Sequence, residues 1–158
     1  MNRTLLVLGA ALIACSMTFA KDTHGSTSKF DHSEYMQATA SGQKKAAPPV
    51  KGSLCFDADA KTVSFTDEKG GTSFNIKYVS IKSLLYEKTS TPRYAEAIII
   101  SPLFLLSHSK KHFLTIQYTD DTGAGQFVIV HMDKKYAREV VAAAEAQTGK
   151  KVEQVEEK

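Results

Sequence analysis

Residues 53–78 read SLCFDADAKTVSFTDEKGGTSFNIKY, and their alternation of apolar and polar side chains decides the fold class. A period of two is typical of half-buried β-strands, because successive side chains point to opposite faces of a strand. Two polar segments, DADAK at 57–61 and DEKGG at 67–71, have the composition of turns and divide the stretch into three strands. The residues predicted to face inward are Leu54, Phe56, Val63, Phe65, Phe74, Ile76 and Tyr78.

Strand signals continue towards the C-terminus. Residues 82–88 predict a fourth strand, and the apolar run AEAIIISPLFLL at 95–106 supplies a fifth. Residues 113–119 alternate again, and residues 126–132 are apolar on both faces, as expected of an interior strand. The chain therefore carries seven predicted strands.

The last element changes period. Apolar residues between Tyr136 and Ala144 recur at spacings of three and four, which predicts one amphipathic helix. Asp133 is placed to cap a helix that begins at Lys134, and Gly149 suits its C-terminal stop. Seven short strands followed by one C-terminal α-helix predict a mainly β barrel or sandwich closed by that helix.

The first 50 residues predict a targeting segment and a linker. Arg3 precedes the apolar run 4–14, which is shorter than the roughly 20 residues that span a bilayer, so residues 1–20 predict an export signal. Residues 21–50 are polar and show no period, which predicts a flexible linker. The folded domain is then expected at 51–152, with a charged tail at 153–158. The expected location is the periplasm or the exterior of the cell.

The signal has two possible processing sites. Thr18 and Ala20 put small residues at the −3 and −1 positions that a signal peptidase requires, with cleavage before Lys21. Upstream, LIAC at 12–15 resembles a bacterial lipobox, in which Cys15 would be acylated and become the new N-terminus. By either route Cys55 is the one cysteine left for pairing, so no intramolecular disulfide is expected.

The composition narrows the function classes. A chain of 158 residues with 42% hydrophobic residues excludes disorder throughout. Twenty basic against 17 acidic residues leave a net charge of +3, too small to imply a nucleic-acid partner. His108 and His112 stand four apart in HSKKH, but that segment precedes a strand, so no metal ligand set is predicted. No phosphate loop or catalytic motif is recognisable, and we expect neither a cofactor nor catalytic residues.

Four stretches carry a family resemblance: KGSLCFD at 51–57, IKYVSI at 76–81, KKHFLTI at 110–116 and TGKKV at 148–152. Together with the order of the predicted elements, they make residues 51–152 similar to the pleckstrin-homology-like (PH-like, GRAM-like) domain of a set of uncharacterised exported bacterial proteins. The resemblance implies a PH-like fold, whose members often bind phosphoinositides or peptides. Phosphoinositide-binding members use a basic cluster in the first hairpin loop. That loop is predicted here to be the acidic segment 57–61, which argues against such binding.

The run 98–106 is the strongest candidate for a contact surface. One interpretation is a buried strand interrupted by Pro102. The other is a segment that dips into a membrane, clasps a protein partner or forms a homodimer seam, with flanking cations that meet anionic headgroups. The candidate contact residues are Arg93, Ile98, Ile99, Ile100, Leu103, Phe104, Leu105, Leu106, Lys110 and Lys111.

Two functions follow from these patterns. The first is a non-enzymatic binding module of the bacterial cell envelope, which contacts protein or membrane lipid through its PH-like domain. The second is a small envelope enzyme, such as a hydrolase, with a site that no motif marks. A charged pocket containing groups of shifted pKa would favour the enzyme.

Metabolic labelling with palmitate distinguishes the two processing routes. We favour cleavage after Ala20, which removes Cys15 with the signal and predicts an unlabelled mature chain that begins at Lys21. Lipidation would instead give a labelled protein that loses its label in the Cys15→Ala variant. N-terminal sequencing of the same preparations identifies the cleaved bond.

Overall fold

The computed structural model describes residues 27–37, 47–94 and 109–156. These residues form a mainly β domain with one α-helix near its C-terminus, as the sequence predicts. The strands are β1 (Ser28–Met36), β2 (Val50–Asp57), β3 (Thr62–Asp67), β4 (Thr72–Lys77), β5 (Ile81–Thr89), β6 (Lys111–Thr119), β7 (Gly125–Met132) and β8 (Val152–Glu156), and the helix is α1 (Ala137–Thr148). A short 3-10 turn, Tyr78–Ser80, joins β4 to β5. The predicted fifth strand, at 95–106, lies outside the described residues.

All eight strands belong to one sheet, in the order β4-β3-β2-β1-β7-β6-β5-β8. Neighbouring strands are antiparallel, except that β8 runs parallel to β5. Among the described strands β4 and β8 end the sheet, so these eight strands do not close into a barrel. The architecture is consistent with a PH-like sandwich whose C-terminal helix packs against β2 and β8.

The main core lies between one face of the sheet and α1. Leu54 pairs with Phe65 and Phe56 pairs with Val63 across β2 and β3, and all four side chains are fully buried. The helix contributes Val140 and Ala144 to the same cluster. The inward-facing residues predicted from 53–78 are thus confirmed as buried, except Phe74, which is half-buried.

Strand β1 corrects the predicted linker. Residues 28–36 fall inside the segment 21–50, yet they pair with both β2 and β7. A bulge between Phe30 and Ser33, with His32 at φ 58°, makes the buried positions recur every three residues, at Phe30, Ser33 and Met36. A period of two therefore fails on this strand, which is why the sequence pattern missed it.

Strand β8 corrects the predicted tail. Residues 153–156, expected to fray, continue a parallel pairing with β5 that begins at Val152 and Leu84. The side-chain carboxylate of Glu145 on α1 accepts a hydrogen bond from the Val152 N–H at 2.9 Å. The amino group of Lys88 lies 3.5 Å from a carboxylate oxygen of Glu156. These long-range partners hold a charged segment that carries no strand pattern of its own.

The two ends of α1 differ in how well the sequence predicted them. The helix begins at Ala137 rather than Lys134, because the Asp133 carboxylate accepts the Lys135 N–H at 2.9 Å and organises a turn before the helix. The C-terminal stop is confirmed. Gly149 adopts the left-handed conformation at φ 68°, and its N–H donates to the Glu145 carbonyl at 3.0 Å.

Substitution of Phe30 tests whether β1 belongs to the folded domain. Its ring packs edge-on against Phe56, with centroids 6.3 Å apart, and is 7% exposed. We expect Phe30→Ala to lower the free energy of unfolding by about 3–5 kcal/mol, measured by urea denaturation. Lys29→Ala, on the exposed side of the same strand, is the control and should change it little. Equal effects of the two substitutions would contradict a structural role for β1.

Candidate functional site

A cavity of about 330 Å³ lies between α1, β5 and β8. Its apolar lining, which we call the floor, is formed by Ala137, Val141, Ala142 and the ring of Tyr86, of which Ala142 is exposed. Its rim is polar, formed by Arg138 and Glu145 of the helix and by Gln154 and Glu156 of β8. The cavity therefore joins a small apolar depression to charged groups on two sides.

Simple periodicities bring these residues together. Arg138, Ala142 and Glu145 are spaced by four and three residues, so they occupy one stripe of the helix surface. Gln154 and Glu156 are two apart and share a face of β8, and Gln154 is the register partner of Tyr86 on β5. Alanine at 137 and 142 keeps the helix side chains short, which leaves the space open.

The charged residues of the rim differ in their hydrogen-bond and ion-pair partners. A carboxylate oxygen of Glu145 accepts the Val152 N–H, and Glu156 forms an ion pair with Lys88. Arg138 is exposed and forms no ion pair with any residue that the structure describes. Arg138 is therefore the rim cation whose charge is available to a partner.

A buried hydrogen bond lies beside the floor of the cavity. The Tyr86 hydroxyl oxygen is 2.7 Å from Nδ1 of His112, and both residues are less than one-tenth exposed. Burial, followed by the charge of Glu156, raises the pKa of Tyr86 above its ordinary value of 10.0. Burial, followed by the charge of Lys88, lowers the pKa of His112 below 6.5. Both shifts favour the uncharged forms, so the two side chains form a neutral pair near neutral pH.

A second buried polar group lies on β5. Glu87 is 3% exposed, and its carboxylate accepts the Arg93 backbone N–H at 3.1 Å. The guanidinium of Arg93 lies 3.5 Å from Glu87 and 3.5 Å from Glu153 of β8. Arg93, a predicted membrane or partner contact, thus links β5 to β8 in the structure.

The other predicted contact residues are only partly described. Lys110 is exposed, whereas Lys111 is half-buried at the start of β6, and this burial lowers its pKa. No helix among the described residues combines the length and the apolar character needed to cross a membrane. Cys15 and the run residues Ile98, Ile99, Ile100, Leu103, Phe104, Leu105 and Leu106 lie outside the described residues.

The remaining chemistry of the described residues is sparse. Cys55 is a half-buried thiol, and burial raises its pKa, so the unreactive protonated form is favoured. Within 27–37, 47–94 and 109–156, no three His, Cys, Asp or Glu side chains are grouped to hold a metal ion.

Strand β1 also changes the interpretation of the hairpin loops. The first hairpin joins β1 to β2, so the acidic segment 57–61 is the second connection of the sheet. The Asp57 carboxylate there accepts the N–H groups of Asp59 and Ala60, which is turn formation. The acidic segment is therefore the loop between β2 and β3 rather than the first connection of the sheet.

The cavity was not among the sites predicted from the sequence. The polar stripe of α1 could have indicated its helix side. The other wall depends on β8, whose pairing with β5 no local pattern revealed.

The comparisons with known proteins are limited to structure. No family model matches the chain, and no curated protein matches it. Among solved structures, the Spt16D–Pob3N heterodimer is similar, with a TM-score of 0.49 and 12% sequence identity. The alignment covers 84% of this chain and 55% of that one, so the chain spans about half the length of the matched protein. At this TM-score and identity, neither a shared ligand nor a shared activity follows.

Removal of the Tyr86 hydroxyl tests the buried pair. Tyr86→Phe leaves Nδ1 of His112 without its partner, so we expect the free energy of unfolding to fall by about 1–3 kcal/mol in urea denaturation. No loss of stability would mean that the hydrogen bond contributes nothing.

The lowered pKa of His112 predicts a pH dependence of stability. The unfolded chain binds a proton at His112 more readily than the folded chain does. The contribution of His112 to the free energy of unfolding is therefore complete above pH 6.5, and it is lost as the pH falls through the lower pKa of the folded state. We expect the stability of the wild type to decrease between about pH 7.5 and about pH 5.5 more than that of His112→Gln. Equal slopes for the two proteins would contradict the prediction.

Proposed function

We propose that this chain is an exported, non-enzymatic binding module of the bacterial cell envelope, which contacts a protein partner through its PH-like domain. The observation that carries the proposal is the terminal strand β8 beside the cavity of α1. The export signal predicted at 1–20 supports the location. The domain would be either released or anchored to a membrane through Cys15.

The geometry of β8 suits the addition of a strand. One edge of β8 pairs with β5, and the other edge ends the sheet among the described strands. Terminal strands offer backbone donors and acceptors to an extended segment of another chain. The Glu145 carboxylate accepts the first N–H of β8, at Val152. The part of the strand after Val152 is therefore the edge on which we expect a partner strand to dock.

The cavity would add side-chain contacts to this backbone pairing. Alternate side chains of an added strand point to the same face, so every second one would lie on the side of α1. There it would meet the apolar floor at Ala142 and Val141. Backbone pairing would supply affinity and the cavity would supply selectivity.

Photocrosslinking tests this docking edge. A benzoylphenylalanine placed at Gln154 in the full exported chain is compared with one at Asn75, an exposed residue of the other terminal strand, β4. We expect the Gln154 probe to give an adduct that mass spectrometry maps to one continuous segment of a protein partner. Adducts with lipid, with a second copy of the chain, or equal adducts from both positions would contradict the proposal.

A cavity-filling variant provides a matched control. Ala142→Trp should abolish the Gln154 adduct, because the indole occupies the space beside β8. Glu139→Trp adds the same ring to an exposed position of α1 that does not line the cavity, and it should leave the adduct unchanged. Thermal unfolding of both variants checks that each remains folded.

A small envelope hydrolase is the second candidate. The observation that favours it is the Tyr86–His112 hydrogen bond beside a cavity with charged rim groups. Both groups are held neutral, so His112 could act as a base once a substrate reached it. Turnover of ester, phosphate or peptide substrates by the wild type, lost in His112→Gln, would favour the enzyme.

A further inference from the structure

We infer that Arg138 selects the partner: the segment that docks on β8 carries an apolar residue and, two residues away, a carboxylate that pairs with this guanidinium. The inference rests on the proposed function and names the chemistry of its ligand. It joins three observations, namely the terminal strand β8, the apolar floor of the cavity and one rim cation without an ion pair among the described residues.

The first step is the charge that remains available on the rim. Glu145 is bonded to the Val152 N–H and Glu156 is paired with Lys88, so both rim carboxylates have partners on β8 or β5. Arg138 is the rim charge without such a partner among the described residues. A guanidinium recognises a carboxylate through two parallel hydrogen bonds, a geometry that gives direction as well as affinity.

The second step is the position of Arg138 on the helix. It is the second residue of α1, and Tyr136, which precedes the helix, makes no side-chain capping bond. The N-terminal end of a helix has a partial positive charge that favours anions. Arg138 lines the same cavity as the ring of Tyr86, so its side chain lies beside the apolar floor. Helix end and side chain therefore attract the same ligand charge.

The third step is the spacing of the two ligand groups. Side chains of an added strand that face α1 are two residues apart. The apolar floor at Val141 and Ala142 lies one helical turn beyond Arg138. One helix-facing side chain would therefore fill the floor while the next reaches the guanidinium. The expected pattern is an apolar residue, any residue, and then aspartate or glutamate, in one chain direction or the other.

Selection from a random octapeptide library displayed on phage tests this pattern. The bait is the full exported chain in four forms: wild type, Arg138→Glu, Lys135→Glu and Ala142→Trp. Lys135 lies before α1 and does not line the cavity, so Lys135→Glu makes the same change in charge away from the proposed site. We expect the wild type and Lys135→Glu to enrich the apolar and acidic pattern. Arg138→Glu should enrich lysine or arginine at the acidic position.

Affinities of one selected peptide complete the test. Arg138→Gln, which keeps a polar side chain, should weaken binding about ten- to a hundredfold, the effect of losing a charged hydrogen-bond partner. When the acidic residue of the peptide is replaced by its amide, the peptide should bind the wild type as weakly as the original peptide binds Arg138→Gln. A phosphoserine at that position that binds more tightly than the carboxylate would overturn the assignment of a carboxylate.

The outcomes separate the two proposals. If Arg138→Glu enriches the same peptides as the wild type, the role of Arg138 is wrong and docking on β8 stands. If no form enriches any peptide, or if Ala142→Trp leaves the enrichment unchanged, docking of an extended segment at this cavity is wrong, and the inference about Arg138 falls with it.

Discussion

The placement of β1 in the middle of the sheet is the constraint on which the other elements depend. β1 lies between β2 and β7, so it joins the strands β2, β3 and β4 to the strands β7, β6, β5 and β8. Its bulge lets Phe30 reach the core beside Phe56 while the Ser33 hydroxyl donates to the Phe30 carbonyl at 3.1 Å. Pairing with two neighbours satisfies the backbone on both sides of a segment that the sequence pattern assigns to a linker.

The helix packs against the sheet whose two parts β1 joins. α1 packs against β2 on one side and β8 on the other, and its apolar stripe buries Val140 and Ala144. Because β8 begins three residues after Gly149 and pairs with β5, one side of the helix faces a strand rather than solvent alone. The cavity is a consequence of this arrangement. Short side chains at 137 and 142 cannot fill the space between a helix and a strand that runs beside it.

The sequence and the structure differ where pairing is long-range. The strands in 53–78 and in 113–132, and the stop at Gly149, follow from local alternation and turn chemistry, and the structure confirms them. The strands β1 and β8 do not follow from local alternation or turn chemistry. A bulge removes the period of two from β1, and a parallel edge strand such as β8 needs only a free neighbour and a few side-chain partners. The sequence did not predict the candidate site either, because one of its walls is β8.

The sequence by itself determined the fold class, the inward residues of its most regular strands and the end of its helix, because each depends on neighbours a few residues apart. The export signal at 1–20 stays a prediction. Tertiary structure alone decided that residues 28–36 and 152–156 are strands, that Tyr86 meets His112, and that Arg138 stands beside an apolar floor. The physical reason is that these features arise from contacts between segments far apart in the chain, which no local period encodes.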